Sequence, residues 1–135
     1  MGIFDKIFGG NNEESTKTNS GELEWFNLGS IDDLNAALEF SKEQPILLFK
    51  HSTRCSISSS AMDRFKRNWN GSEVNVRAFY LDLLNHKDVS AEIAERLNVE
   101  HQSPQMIIVK DGIAVFSATH MNIDFNDVVL HAPSN

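Results

Sequence analysis

The chain has 135 residues, 41% of them hydrophobic and 23% charged, with a formal net charge of −7. That length supports one domain with a core of its own, needing no metal or disulfide staples, and the acidic balance disfavours nucleic-acid and anionic-membrane partners, which select basic surfaces. A single cysteine excludes an internal disulfide and a zinc site of paired cysteines, and fits a reducing compartment.

The opening MGIFDKIFGG has no apolar stretch of signal-sequence length, and no run approaches transmembrane length. Lys6 stands where the N-myristoylation pattern needs serine or threonine, so a cytoplasmic location is expected. Ile3, Phe4, Ile7 and Phe8 would share one face of a short helix. Such a face reads as a docking peg for a partner or as a segment that packs on its own domain or frays. Residues 9–21, GGNNEESTKTNSG, are small and polar and read as a flexible linker. The division is therefore 1–21, a short amphipathic start plus linker, and 22–135, a folded domain.

From Glu22 onward strands and helices alternate. LEWFNL reads as a strand, and Ser30 with Asp33 three residues on starts a helix carrying the stripe Ile31, Leu34, Leu38. ILLF at 46–49 is a continuous apolar run, as expected of a central strand buried on both faces. A second helix is expected from about Cys55 to Trp69, with Ile57, Ala61, Phe65 and Trp69 on its inner face and Asn70-Gly71 as its stop. VNVRAFYLDL gives a third strand. Val89, Ile93 and Leu97 mark a third helix with Asp88 as a plausible cap. SPQMIIVKDGIAVFSA reads as two strands joined by Asp111-Gly112, and a last short helix follows near Ile123–Leu130.

The order β-α-β-α-β-α-β-β-α predicts an α/β domain with a mixed sheet of about five strands and helices on both faces. That order, with a cysteine where the second strand meets the second helix, resembles the thioredoxin-like fold over residues 22–131.

The chemistry concentrates in HSTRCSIS, residues 51–58. A cysteine at a helix start sits against unpaired backbone N–H groups and the positive end of the helix dipole, which favour thiolate over thiol. Arg54 adds a nearby cation, and Ser58 is placed to offer its hydroxyl to the sulfur. The pattern is Cys-x-x-Ser, and serine cannot resolve a mixed disulfide. Cys55 can attack a disulfide and hold the mixed product, but release needs an outside thiol. His51 and Cys55 together make a poor metal site, because structural zinc takes four protein ligands.

Two further pieces belong with it. Ser103-Pro104 precedes an apolar strand, where the thioredoxin fold carries a cis-proline facing the cysteine, and the backbone before it pairs with a bound disulfide partner. ATHMNI, residues 118–123, forms a loop that should approach Cys55 in this fold, and His120 there reads either as a solvated loop histidine or as a group that steadies the thiolate or hydrogen-bonds a small-thiol ligand. Thioredoxins also place a buried carboxylate six residues before the cysteine, and here that residue is Phe49.

STRCSIS, QSPQ and THMNI, taken in order with the opening MGIFDKIFG, resemble the monothiol bacilliredoxin family of the YtxJ or BrxC type. The resemblance implies a thiol–disulfide oxidoreductase with bacillithiol as co-substrate and no tightly bound cofactor or metal. Its partners would be bacillithiolated client proteins, the low-molecular-weight thiol and a dithiol reductant. Cys55 would be the redox cysteine, with Thr53, Arg54, Ser56, Ser58, Ser103, Pro104 and His120 around the substrate. One departure is Ser56, since that family often has proline after the cysteine, and serine leaves an additional N–H near the sulfur. Three alternatives stand beside this reading. One is an iron–sulfur carrier of the monothiol-glutaredoxin kind, one a thioredoxin-like binding module without turnover, and one a Cys–His hydrolase built on Cys55 and His120.

Overall fold

The structure, a computed structural model, describes residues 22–134, so the expectations for residues 1–21 lie outside the described residues. Every strand and helix expected from Glu22 onward is present. In chain order they are β1 (Trp25–Asn27), α1 (Ile31–Phe40), β2 (Ile46–His51), α2 (Ser56–Asn68), β3 (Arg77–Asp82), α3 (Lys87–Leu97), β4 (Gln105–Lys110), β5 (Ile113–Thr119) and α4 (Phe125–His131). Short 3-10 turns at Gly71–Glu73 and His120–Asn122 complete the set. The sheet order is β1-β3-β2-β4-β5. β1, β3 and β2 run parallel, β4 pairs antiparallel with β2, and β5 pairs antiparallel with β4 at the edge.

The local reasons are legible in the residues. Ser30 caps α1 by accepting from the Asp33 N–H at 3.1 Å, and Asp33 returns by accepting from Gly29 N–H. Asp124 caps α4 through Asn126 N–H. Asp111 and Gly112 both have positive φ, 54° and 76°, which a two-residue hairpin turn between twisted strands requires. α3 departs from expectation. Its cap residue is His86, which makes no side-chain capping bond, and Asp88 falls inside the first turn, where its charge still complements the helix dipole.

β2 is buried along its whole length and divides the core. Ile46 and Leu48 face α1 and α3, among Leu34, Ala37, Phe79, Val89, Ile93 and Ile107. Leu47 and Phe49 face α2 and α4, among Ala61, Met62, Phe65, Met106, Phe125 and Val128. Strand alternation carries this division one step further: Lys50 points to the α1/α3 side and His51 to the α2/α4 side. The register then fixes the location of the site. Lys50 pairs with Gln105, and Gln105 pairs with Thr119. The end of β2, the start of β4 and the end of β5 therefore meet at one edge. The loops carrying Cys55, Ser103-Pro104 and His120 all emerge there.

α2 corrects one expectation. Its buried residues are Ser58, Ala61, Met62 and Phe65, whereas Ile57 is 54% exposed. The first turn of α2 presents position 58 inward, so the inner face is read from 58, 61, 62 and 65 and Ile57 lies outside it.

Candidate functional site

Cys55 is the N-cap of α2, with extended backbone (φ −104°, ψ 121°) and partial exposure. The turn leading to it is closed by the Cys55 N–H donating to the Ser52 carbonyl at 3.1 Å. The first helical bond of α2 runs from Ser59 N–H to the Cys55 carbonyl. The N–H groups of Ser56, Ile57 and Ser58 thus have no intrahelical acceptor and lie at the same end of the helix as the thiol. Thr53, Arg54 and Ser56 are exposed around it. Arg54 makes no ion pair among the described residues and remains available as a cation beside the thiol.

Ser58 behaves differently from the sequence expectation. It is fully buried, and its oxygen accepts from the Ser52 N–H at 3.1 Å and lies 2.6 Å from His51 Nδ1. The hydroxyl is bound to His51 and the loop backbone in place of the sulfur. No second thiol stands at this position, and the side chain that does is already held.

His51 is the residue that sequence reasoning undervalued. It is 7% exposed, packs against the Tyr80 ring with centroids 5.9 Å apart, and its pKa is pushed below the usual histidine value. Burial is the main cause. Asp82 opposes it most, Lys66 adds to the lowering, and Asp63 opposes it more weakly. The signal lay in strand parity: His51 shares a face with Phe49, which is fully buried against Phe65 at 5.4 Å and Trp25 at 5.8 Å. The carboxylate position of thioredoxins is thus filled by an aromatic cluster. The titratable side chain on that face of β2 comes two residues later.

The Ser103–Pro104 peptide bond is cis. Pro104 is buried and its carbonyl accepts from the His120 N–H at 3.2 Å, which joins the second and third pieces of the site directly. Ser103 Oγ is buried with no hydrogen-bond partner among the described residues. His120 has φ 53° and opens the 3-10 turn that follows β5. Arg64 of α2 donates to the carbonyls of His120, Met121 and Ile123 at 3.1–3.4 Å, fastening that turn to the cysteine helix. The His120 imidazole makes no hydrogen bond to another described residue, so no third group orients it as a base.

On the other face, Lys50 is completely buried. Its ammonium donates to the Ser90 carbonyl at 3.3 Å and contacts His101 Nδ1 at 3.1 Å. Ser90 Oγ reaches the same nitrogen at 3.1 Å. A lysine ammonium only donates, so His101 Nδ1 accepts and its ring is neutral with the proton on Nε2. Burial brings the Lys50 pKa down to about 8, and burial with the Lys50 charge lowers that of His101. The pair ties β2 to the segment that leads into Pro104. Gln105 stiffens the same segment by donating to the Glu100 carbonyl and accepting from Gln102 N–H.

Residues 26–128 match the family model described as monothiol bacilliredoxin BrxC. The chain belongs to the monothiol bacilliredoxin family. All three pieces of the site lie within the matched span, including Cys55, Pro104 and His120. A solved structure described as a candidate oxidoreductase with a thioredoxin fold is 29% identical, with a TM-score of 0.68 over 78% of this chain and 91% of that one. Thioredoxin from Fasciola hepatica is 14% identical, with a TM-score of 0.58 over 78% of this chain and 97% of its own. Thioredoxin from Malassezia sympodialis is also 14% identical, with a TM-score of 0.60 over 83% and 91%. At that identity the two thioredoxins share the fold. Bacilliredoxin membership and the thioredoxin fold together support thiol redox chemistry as the general activity. Among the described residues no three His, Cys, Asp or Glu side chains gather as a metal site, and no helix is long and apolar enough to cross a membrane.

Proposed function

We propose that this bacilliredoxin removes bacillithiol from mixed disulfides on client proteins by monothiol exchange at Cys55. The observation that carries the reading is position 58. A dithiol enzyme needs a second thiol there, and this chain has a buried serine bound to His51 and Ser52. In the first step the Cys55 thiolate attacks the bacillithiol sulfur of a protein–S–S–bacillithiol. The new bond is Cys55–S–S–bacillithiol, the old disulfide breaks, and the client leaves as thiolate and takes up a proton. In the second step an external bacillithiol thiolate attacks the bacillithiol sulfur of the adduct. Bacillithiol disulfide forms and Cys55 returns as thiolate. Across both steps one protein–bacillithiol disulfide and one bacillithiol thiol become one free client thiol and one bacillithiol disulfide, so the number of disulfides is unchanged.

The N-terminus of α2 and Arg54 favour the anionic sulfur before attack and as it leaves. The cis-proline loop offers backbone to the client beside the disulfide. Thr53 and Ser56 border the thiol, and His120 stands on the loop joined to Pro104. A cytoplasmic location, where client thiols stay reduced, is part of the same proposal.

Intact mass spectrometry of the reduced protein after mixing with a bacillithiolated client tests it, with a glutathionylated client as control. The expected result is one bacillithiol adduct at Cys55, an equal amount of freed client thiol, and little glutathione transfer. Cys55→Ala should take up nothing. A wild-type protein without adduct, or a Cys55→Ala variant that frees client thiol equally fast, would overturn the reading.

A further inference from the structure

We infer that His51 is a positioning residue for Cys55, acting through the Ser58 hydroxyl and the turn between them. The inference rests on Cys55 being the nucleophile of the proposed reaction.

Three hydrogen bonds run in series from the ring to the cysteine. His51 Nδ1 meets Ser58 Oγ at 2.6 Å, Ser58 Oγ accepts from Ser52 N–H at 3.1 Å, and the Ser52 carbonyl accepts from Cys55 N–H at 3.1 Å. The chain thus folds back from the end of β2 onto the first turn of α2, and the side chains that pin it, His51 and Ser58, are both buried. A serine hydroxyl has one proton and two lone pairs. With one lone pair taken by Ser52 N–H, the proton goes to Nδ1 when the ring is neutral with its own proton on Nε2. A protonated ring donates at Nδ1 instead, and the Ser58 proton must turn elsewhere. The ring's tautomer and charge together therefore select the orientation of the Ser58 hydroxyl that pins the cysteine turn.

The groups that face the ring are Asp82 and Tyr80 on β3, and Asp63 and Lys66 on α2. Burial outweighs the two carboxylates and keeps the ring neutral near pH 7. Asp82 Oδ1 is itself buried with no partner among the described residues, while its Oδ2 accepts from Asn85. In the neutral state the turn 52–55 is fixed against α2, and the sulfur is held at the helix N-terminus, where the dipole favours its anion.

The test is the pH profile of Cys55 alkylation by iodoacetamide, which needs no bacillithiol. His51→Phe removes the Nδ1 contact, Ser58→Ala removes it from the helix side, and His51→Asn returns an acceptor close to the Nδ1 position. His51→Phe and Ser58→Ala should move the alkylation profile up by roughly one pH unit, so that alkylation is up to about tenfold slower wherever the wild-type rate is still rising with pH. His51→Asn should recover most of the rate. A folded His51→Phe with the wild-type profile, or an Asn variant no better than Phe, would overturn the inference. Should both deletion variants fail to fold, the wild-type chain still decides. The His51 Nδ1 NMR shift should follow Cys55 ionisation, with Cys55→Ser as the blank, and a ring blind to the thiolate would overturn the inference. If the profiles shift as expected but no bacillithiol adduct forms, the positioning role stands and the transfer reading falls.

Discussion

Lys50 and His51 are neighbours on one strand, yet they hold opposite halves of the site by different physics. Lys50 turns toward α3 and ties the approach to Pro104 with a charged donor, using two neutral acceptors, the Ser90 carbonyl and His101 Nδ1. His51 turns toward α2 and ties the cysteine turn with a neutral ring and a hydroxyl. Among the described residues no carboxylate pairs with Lys50. A buried, unpaired ammonium costs free energy, and its lowered pKa expresses that cost. The His51 contact carries no such penalty while the ring is neutral. The two loops should therefore respond to different changes. The Pro104 side is sensitive at alkaline pH and to loss of charge, and the Cys55 side at acid pH and to loss of one hydroxyl.

The largest effect should come from removing the floor under the His51 side. Phe65 is 1% exposed and touches Trp25, Phe49, Trp69 and Phe125. Phe65→Ala should lower stability by about 3–5 kcal/mol in a urea melt. A loss below about 1 kcal/mol would mean the cluster does not support that half of the site.

Lys50→Met comes next. Lys50 has a folded pKa of about 8 against 10.5 when free, so between those values the unfolded chain binds more protons. The wild type should accordingly gain stability as pH rises through that window, by up to about 3 kcal/mol from this group, and carry the full penalty below it. The variant should fold, lose that slope, and match or exceed wild-type stability at neutral pH. An unchanged slope would show that the ammonium is solvated and that the two sides do not differ in this way.

On the acid side the sign is the same but the window differs. His51 and His101 both have pKa values below the free value of 6.5. Their stabilising contribution is complete above 6.5 and is lost as pH falls through the folded values. His51→Asn should flatten part of that acid slope and leave the alkaline one untouched. Urea melts in steps of pH separate the two.

The smallest effect belongs to Arg64→Ala. It removes the hydrogen bonds to the His120–Ile123 turn and should cost about 1 kcal/mol. Amide exchange should quicken at residues 120–123, with the core of β2 unaffected. Protection unchanged at that turn would contradict the fastening role.

The sequence carried the architecture because each element had its own local signal. The buried run at 46–49, the Asp111-Gly112 turn and the Ser30 cap each read correctly without reference to distant residues. Cys55 was legible for the same reason, since a helix start and a missing second cysteine are local facts. What stayed hidden depends on packing between segments. The Lys50–His101 contact spans 51 residues, and no local pattern announces it. The spacing of three from Cys55 points the Ser58 hydroxyl at the sulfur, since i and i+3 share a helix face. The competing partner was a histidine on the preceding strand, and strand parity could have found it. The four-residue recurrence of Ile57, Ala61, Phe65 and Trp69 points Ile57 inward, whereas the orientation of the first helical turn puts Ser58 there.

The central claim is that Cys55 holds the small thiol until an outside thiol releases it. The most direct measurement is a time course of intact mass after the bacillithiol adduct is formed and all free thiol is removed. The adduct should persist unchanged, then disappear when bacillithiol is added, with one equivalent of bacillithiol disulfide appearing. Loss of the adduct without any added thiol would contradict the account.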